Sequence, residues 1–215
     1  MNTIAVVDYG MGNLHSVAKA LERVGQGAPV RVTYDPQEIA KAARVVFPGV
    51  GAMKDCVDEL RRLELDAVLK ECAATRPFLG ICVGMQALFD WSEENGGSAG
   101  LGILAGRVRR FQPGPAGHDG GERIKVPHMG WNAVHQTRPH PLWEGIAQDT
   151  RFYFVHSYYC EPAAPESVAG TTVYGQSFVA AVARGKLFAV QFHPEKSQHA
   201  GLALLANFVA WDGSV

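Results

Sequence analysis

Three side chains in this chain have the types and settings that nucleophilic chemistry needs: Cys82, His193 and Glu195. Cys82 lies in Arg76-Pro-Phe-Leu-Gly-Ile-Cys-Val-Gly-Met-Gln86, where an apolar run ends at a cysteine flanked by Gly80 and Gly84. Pro77 to Ile81 predicts a short, buried central strand of a parallel sheet. The two glycines allow a turn too sharp for a side chain. Met85, Leu88 and Phe89 then recur at helical spacing, and Asp90 and Trp91 extend the predicted helix. A cysteine on a strand-to-helix turn is a nucleophile elbow with sulfur in place of oxygen. At a helix N-terminus the unpaired N–H groups favour the thiolate.

A lone cysteine is often only a small core residue. The second stretch, Ala189-Val-Gln-Phe-His-Pro-Glu195, supplies what a nucleophile lacks. It is another apolar strand, ending in His193. A cysteine nucleophile needs a base, and the base needs an orienting acceptor. His193 takes the thiol proton, and Glu195 fixes its tautomer.

These groups have to be positioned by strands that end near one another. Ile4 to Val7 predicts a buried strand, followed by the loop Asp8-Tyr-Gly-Met-Gly-Asn13 and a helix with Leu14, Val17, Ala18, Leu21 and Val24 on one face. The loop lacks the full glycine spacing of a dinucleotide fingerprint. Val30, Val32 and Tyr34 alternate as a strand, Asp35-Pro36 opens a short helix, and Arg44 to Phe47 predicts a third strand. Pro48-Gly-Val-Gly-Ala52 follows directly, at the strand end where open α/β sheets place ligands; its N–H groups can stabilise an oxyanion. Helices are predicted over 55–62 and 65–72, and a glycine-rich loop over 93–102. The second half reads as strand after strand, at 103–111, 125–127, 131–135, 151–160, 168–173, 178–183 and 187–192, which adds hairpins to a parallel core. Pro113 to Gly121, rich in Gly and Pro, predicts a mobile loop. A last helix runs from about Ser197 to Trp211, with Leu202, Leu205, Phe208 and Val209 on one face.

With 215 residues, 47% hydrophobic and 19% charged, the sequence fits a single domain, 1–215, with a sizeable core. A net charge of -1 gives no electrostatic case for nucleic acid. No apolar run is long enough for a membrane span, and Met-Asn-Thr-Ile-Ala-Val-Val-Asp8 does not read as a signal peptide. Cys56, Cys72, Cys82 and Cys160 show no C-x-x-C spacing, so neither zinc nor a disulfide framework is expected, and the natural compartment is the cytoplasm. No metal or other cofactor is implied.

Gly80-Ile-Cys-Val-Gly-Met-Gln86 with His193-Pro-Glu195 resembles the class I (triad) glutamine amidotransferases. Further stretches refine the resemblance: Asp8-Tyr-Gly-Met-Gly-Asn13, Pro48-Gly-Val-Gly-Ala52, Pro127-His-Met-Gly-Trp-Asn132, Tyr153-Phe-Val-His-Ser-Tyr158 and His193-Pro-Glu-Lys-Ser197. Met-Gly-Trp-Asn with His-Pro-Glu-Lys-Ser is similar to the glutaminase subunits of imidazole glycerol phosphate synthases, in histidine biosynthesis. The segment 112–122 looks longer than this family needs.

The resemblance implies a flavodoxin-like, mostly parallel open sheet flanked by helices, with added antiparallel strands in the C-terminal half. It implies L-glutamine as substrate, Cys82, His193 and Glu195 as the triad, and an oxyanion hole from backbone at Val83 and at Val50 or Gly51. Gln86, Ser157 and Tyr158 would hold the glutamine. A (β/α)8-barrel cyclase would be the partner in a heterodimer, docking on Asn13, Met129, Trp131, Tyr153 and Lys196 and receiving ammonia through a tunnel. Its products would be imidazole glycerol phosphate and aminoimidazole carboxamide ribotide. Other readings are a glutaminase for anthranilate, pyridoxal phosphate or nucleotide synthesis, a binding module with a vestigial cysteine, and a cysteine peptidase of related fold. Met-Gly-Trp-Asn argues against the first and the complete triad against the second.

Overall fold

The computed structural model describes residues 2–112 and 124–214. Its elements are β1 (Ile4–Val7), α1 (Leu14–Val24), β2 (Val30–Thr33), α2 (Pro36–Lys41), β3 (Arg44–Gly49), α3 (Met53–Arg62), α4 (Asp66–Thr75), β4 (Phe78–Cys82), α5 (Val83–Gln86), β5 (Phe89–Ser92), β6 (Ser98–Ala99), β7 (Leu104–Arg110), β8 (His128–Gln136), β9 (Thr150–His156), β10 (Tyr158–Pro162), β11 (Val168–Tyr174), β12 (Gln176–Arg184), β13 (Leu187–Val190) and α6 (Gln198–Ala210).

The parallel core is β2-β1-β3-β4-β13. Its central strands are apolar along their whole length because helices cover both faces, and β1, β4 and β13 have no exposed residue. α1 packs with α6, and α4 packs with α2 and α3. Beyond β13 the sheet turns antiparallel through β12, β10 and β7; β5 then runs parallel to β7, and β6 antiparallel to β5. β11, β8 and β9 branch from β12 as a further antiparallel layer. This matches the expected open sheet with antiparallel additions.

Several local expectations are corrected. The helix read from Met85 to Trp91 is a single turn, and Phe89–Ser92 is strand. The carbonyls of Ala87 and Leu88, which a longer helix would use, instead accept from the amides of Leu101, Ile103 and Leu104, and β5 pairs with β7. The loop expected over 93–102 contains a 3-10 turn and β6. Residues 125–127 form no strand, and the span 151–160 is broken at Ser157 into β9 and β10. The strand read at Val30, Val32 and Tyr34 is present as the edge strand β2, which ends at Thr33; Val32 and Tyr34 are 44% and 65% exposed and Thr33 is buried. The loop expected over 113–121 lies outside the described residues, as does all but Gln112 of the long segment 112–122.

The elbow leaves no room for a side chain at Gly49 or Gly84. A Cβ at Gly84 would lie 1.9 Å from the Phe47 carbonyl oxygen, and one at Gly49 would lie 2.7 Å from the Gly84 nitrogen. β3 and the start of α5 therefore touch backbone to backbone. Gly84→Ala should cost about 3 kcal/mol, the upper end of overpacking penalties. An unchanged urea midpoint would contradict this contact.

Candidate active site

Three parallel strands deliver the site at their carboxyl ends. Gly49 of β3 stands beside Cys82 of β4, and Val190 of β13 stands beside Ile81. The Pro48–Ala52 turn, Cys82 and His193 therefore emerge next to one another, as expected for ligand sites in open α/β sheets.

Cys82 has φ 55° and ψ -112°, a conformation non-glycine residues rarely adopt. Such strain persists only where surrounding structure enforces it. Here β4 on one side and the Gly84–Phe47 contact on the other enforce it. Cys82 is 4% exposed, at a pocket wall. Because α5 has only four residues, its macrodipole is a minor support for the thiolate, contrary to the sequence expectation.

The stronger support is His193. Its Nδ1 lies 2.8 Å from Glu195 Oε1, and both side chains are almost completely buried. Burial by itself lowers the imidazole, but hydrogen bonding and charge attraction from Cys82 and Glu195 outweigh it and push His193 up to about 10. An imidazolium beside the sulfur is what a thiolate requires. Glu195 Oε2 is buried with no partner among the described residues, so the imidazolium is the compensation for that carboxylate. The base is held by its backbone as well: His193 N–H donates to the Tyr153 carbonyl at 2.9 Å, and the Ser197 hydroxyl donates to the His193 carbonyl at 2.6 Å.

A cavity of about 300 Å³ opens over these groups, lined by Val50, Gly51, Cys82, Val83, Gln86, Ser157, Tyr158, His193 and Lys196. Every residue expected to bind glutamine or form the oxyanion hole is at this wall. Gln86 is 3% exposed, not a surface helix residue; its Nε2 donates to the Tyr158 carbonyl and to Gln191 Oε1, both at 3.1 Å.

Sequence reasoning missed three contributors. Gln191, fully buried, donates from Nε2 toward Cys82 Sγ at 3.7 Å. Its signal was a polar residue inside the apolar run Ala189 to Phe192. His156 lines the pocket from an inward position of β9. Glu94, also in the wall, accepts from Met53 N–H, and burial raises its carboxyl above the ordinary value. An acid within a glycine-rich loop gave no signal.

The residues expected at a partner surface are spread over the start of α1, β8, β9 and the turn after β13. Met129 and Trp131 project from β8 and are 63% and 41% exposed. Trp131 is opposite Tyr153 of β9, their rings edge to face at 5.9 Å. Lys196 is exposed at the pocket rim, and Asn13 caps the start of α1. Cys56, Cys72 and Cys160 are free, buried and absent from the pocket wall. Among the described residues no group of side chains could hold a metal ion, and no helix is long and apolar enough to cross a membrane.

The glutamine amidotransferase class-I family model matches residues 5–211. The chain is 60% identical to the imidazole glycerol phosphate synthase subunit HisH of Methylococcus capsulatus, covering 99% of this chain and 98% of that one. It is 59% identical to the HisH subunit of Nitrosococcus oceani, covering 99% of each. Among solved structures, a putative GMP synthase subunit from Thermoplasma acidophilum superposes with a TM-score of 0.70 at 20% identity, over 98% of this chain and 93% of that one. PurLQS from Thermotoga maritima gives 0.68 at 15% identity, over 97% of each. The two structures bear on the fold alone. The chain belongs to the class-I glutamine amidotransferase family and, within it, to the HisH subunits of imidazole glycerol phosphate synthase.

Proposed function

We propose that residues 1–215 act as one amidotransferase domain that hydrolyses L-glutamine and passes the ammonia to a (β/α)8-barrel cyclase in a heterodimer. The observation that carries the reading is the strained Cys82 facing a buried His193–Glu195 pair at the mouth of three parallel strands. Membership of the HisH group supports histidine biosynthesis over the other amidotransferase pathways, and supports a cytoplasmic location.

The Cys82 thiolate attacks the side-chain amide carbon. The tetrahedral oxyanion takes N–H groups of Val83 and of Val50 or Gly51. His193 gives its proton to the leaving nitrogen, the C–N bond breaks, and ammonia departs. Water then attacks the thioester, His193 takes its proton, and the thiolate is released with glutamate. Gln86, Ser157 and Tyr158 hold the substrate, and the Glu94 carboxylate suits its α-ammonium. The barrel docks on Asn13, Met129, Trp131, Tyr153 and Lys196, converting the ammonia and a phosphorylated ribulosyl intermediate into imidazole glycerol phosphate and aminoimidazole carboxamide ribotide.

Cys82→Ala should abolish glutamine hydrolysis, while ammonia supplied at high concentration still feeds the barrel. Substantial glutaminase activity in this variant would refute the mechanism.

His193 carries its proton in the folded state at about 10 against an ordinary 6.5. Its stabilisation is therefore complete below 6.5 and is lost as pH rises through about 10. Stability to urea should therefore fall between pH 6.5 and about 10 in the wild type, and Glu195→Gln should flatten that fall. Glu195→Gln should also impair turnover less than His193→Ala, which removes the base itself. A flat wild-type stability profile would count against the charged pair.

Turnover should depend on the partner. The Pro48–Gly51 turn has two glycines, and Gly51 has φ 83°, so the Val50–Gly51 peptide can flip. A missing oxyanion donor costs about a hundred- to a thousandfold in rate. Glutamate release should be near silent for the isolated chain, and rise with the barrel plus its ligand. Trp131→Ala or Lys196→Ala should weaken that rise. Equal rates for the isolated chain, with the barrel, and with the barrel plus its ligand would rule out gating.

A further inference from the structure

His128 and His156 form a buried pair outside the triad, 1% and 6% exposed. Their partners fix the protons. His156 Nδ1 lies 2.7 Å from the Tyr158 carbonyl oxygen, which can only accept, so Nδ1 carries a hydrogen. The Asn132 side chain donates to the Val173 carbonyl at 2.8 Å, which turns its Oδ1 toward His128 Nε2, also at 2.8 Å. That nitrogen also carries a hydrogen. The two remaining nitrogens, His128 Nδ1 and His156 Nε2, face each other at 2.9 Å. Two neutral rings would leave both bare, lone pair against lone pair. All three contacts form only if the pair holds a third proton.

This pair sits midway along a continuous polar chain. From the Val173 carbonyl it runs through Asn132, His128 and His156 to the Tyr158 carbonyl, which also accepts from Gln86; Gln86 meets Gln191, and Gln191 donates to Cys82 Sγ. We propose that His128 and His156 share one proton beyond the neutral complement, and that in this state they are positioning residues that hold Tyr158, Gln86 and Gln191 against the glutamine pocket. The inference rests on the glutaminase reading of that pocket.

Burial opposes the charge and lowers both imidazoles. The surroundings oppose its loss. Tyr174 of β11 stacks on His128 at 4.0 Å and Phe154 of β9 at 5.3 Å; Phe111 and Phe178 close the box edge-on. Aromatic faces attract a cation that water cannot reach. Among the described residues the titratable groups facing the pair are Tyr174 and His193; the latter, in the turn after β13, repels a charge on His156. Among the described residues no carboxylate joins the pair, so the two rings titrate as one unit. The proton is bound at lower pH and lost as pH rises, and the Tyr158 side of the pocket loosens with it.

The test counts protons and measures glutamine binding separately. Imidazole ¹⁵N spectra of histidine-labelled chain near neutral pH should show three protonated nitrogens on the two rings, assigned with His128→Asn. In complex with the barrel partner, the KM for glutamine should rise with pH in the wild type, with kcat little changed. His128→Phe keeps the stacking but lacks the donor, and should raise KM about five- to tenfold at every pH, the loss of one buried hydrogen bond. His128→Asn offers His156 a permanent N–H and should restore KM without the pH dependence. Two bare facing nitrogens, or an unimpaired His128→Phe, overturn the proposal while the glutaminase reading stands. A wild-type complex that hydrolyses no glutamine overturns that reading, and the positioning role with it, whatever the proton count.

Discussion

The site depends on one close approach, the Gly84 backbone against the Phe47 carbonyl. It lets α5 begin directly over the end of β3, and it forces the chain between them through the left-handed conformation of Cys82. Relax it, and the sulfur falls back toward the core while the oxyanion turn drifts from Val83. The strain at Cys82 is small beside the apolar burial that holds β3, β4 and β13 together, which is why the fold can maintain it. The brevity of α5 has a different cause: the carbonyls of Ala87 and Leu88 accept from Leu101, Ile103 and Leu104, and the chain that follows pairs as β5 with β7.

Electrostatics then refines what packing has placed. The ion pair does not rest on a helix dipole. It rests on a buried imidazolium between two acceptors, one the Cys82 sulfur and one the Glu195 carboxylate, whose Oε2 has no partner among the described residues. Removing any one of the three leaves an uncompensated group in low dielectric, so the three behave as one unit. Glu94 and Lys196 put opposite charges near the pocket rim, which suits a zwitterionic amino acid.

How much of this the sequence discloses depends on the kind of constraint. β1, β3, β4 and β13 were legible because an apolar run beside a glycine turn has one ready meaning in an α/β chain. Cys82, His193 and Glu195 were legible because each sits at the end of such a run. The extent of α5 was not, because Met85, Leu88 and Phe89 satisfy helical spacing, and only the tertiary pairing of Phe89–Ser92 overrides it. At Val30, Val32 and Tyr34 the alternation marked the strand, but alternation does not say which face meets the core. Glu94 was illegible because its role lies in a partner, Met53, reached across forty-one residues of chain.

The place of β13 has one more consequence. It is the last strand of the chain, yet it fills the middle of the sheet, between β4 and β12. During synthesis the ribosome delivers Cys82 long before His193, and the slot beside β4 stays vacant meanwhile. The nascent chain thus carries an ordinary thiol next to an open sheet edge. Long-range pairing of this kind forms late and slowly. The order of translation therefore brings His193 to Cys82 only once β13 has taken its place beside β4.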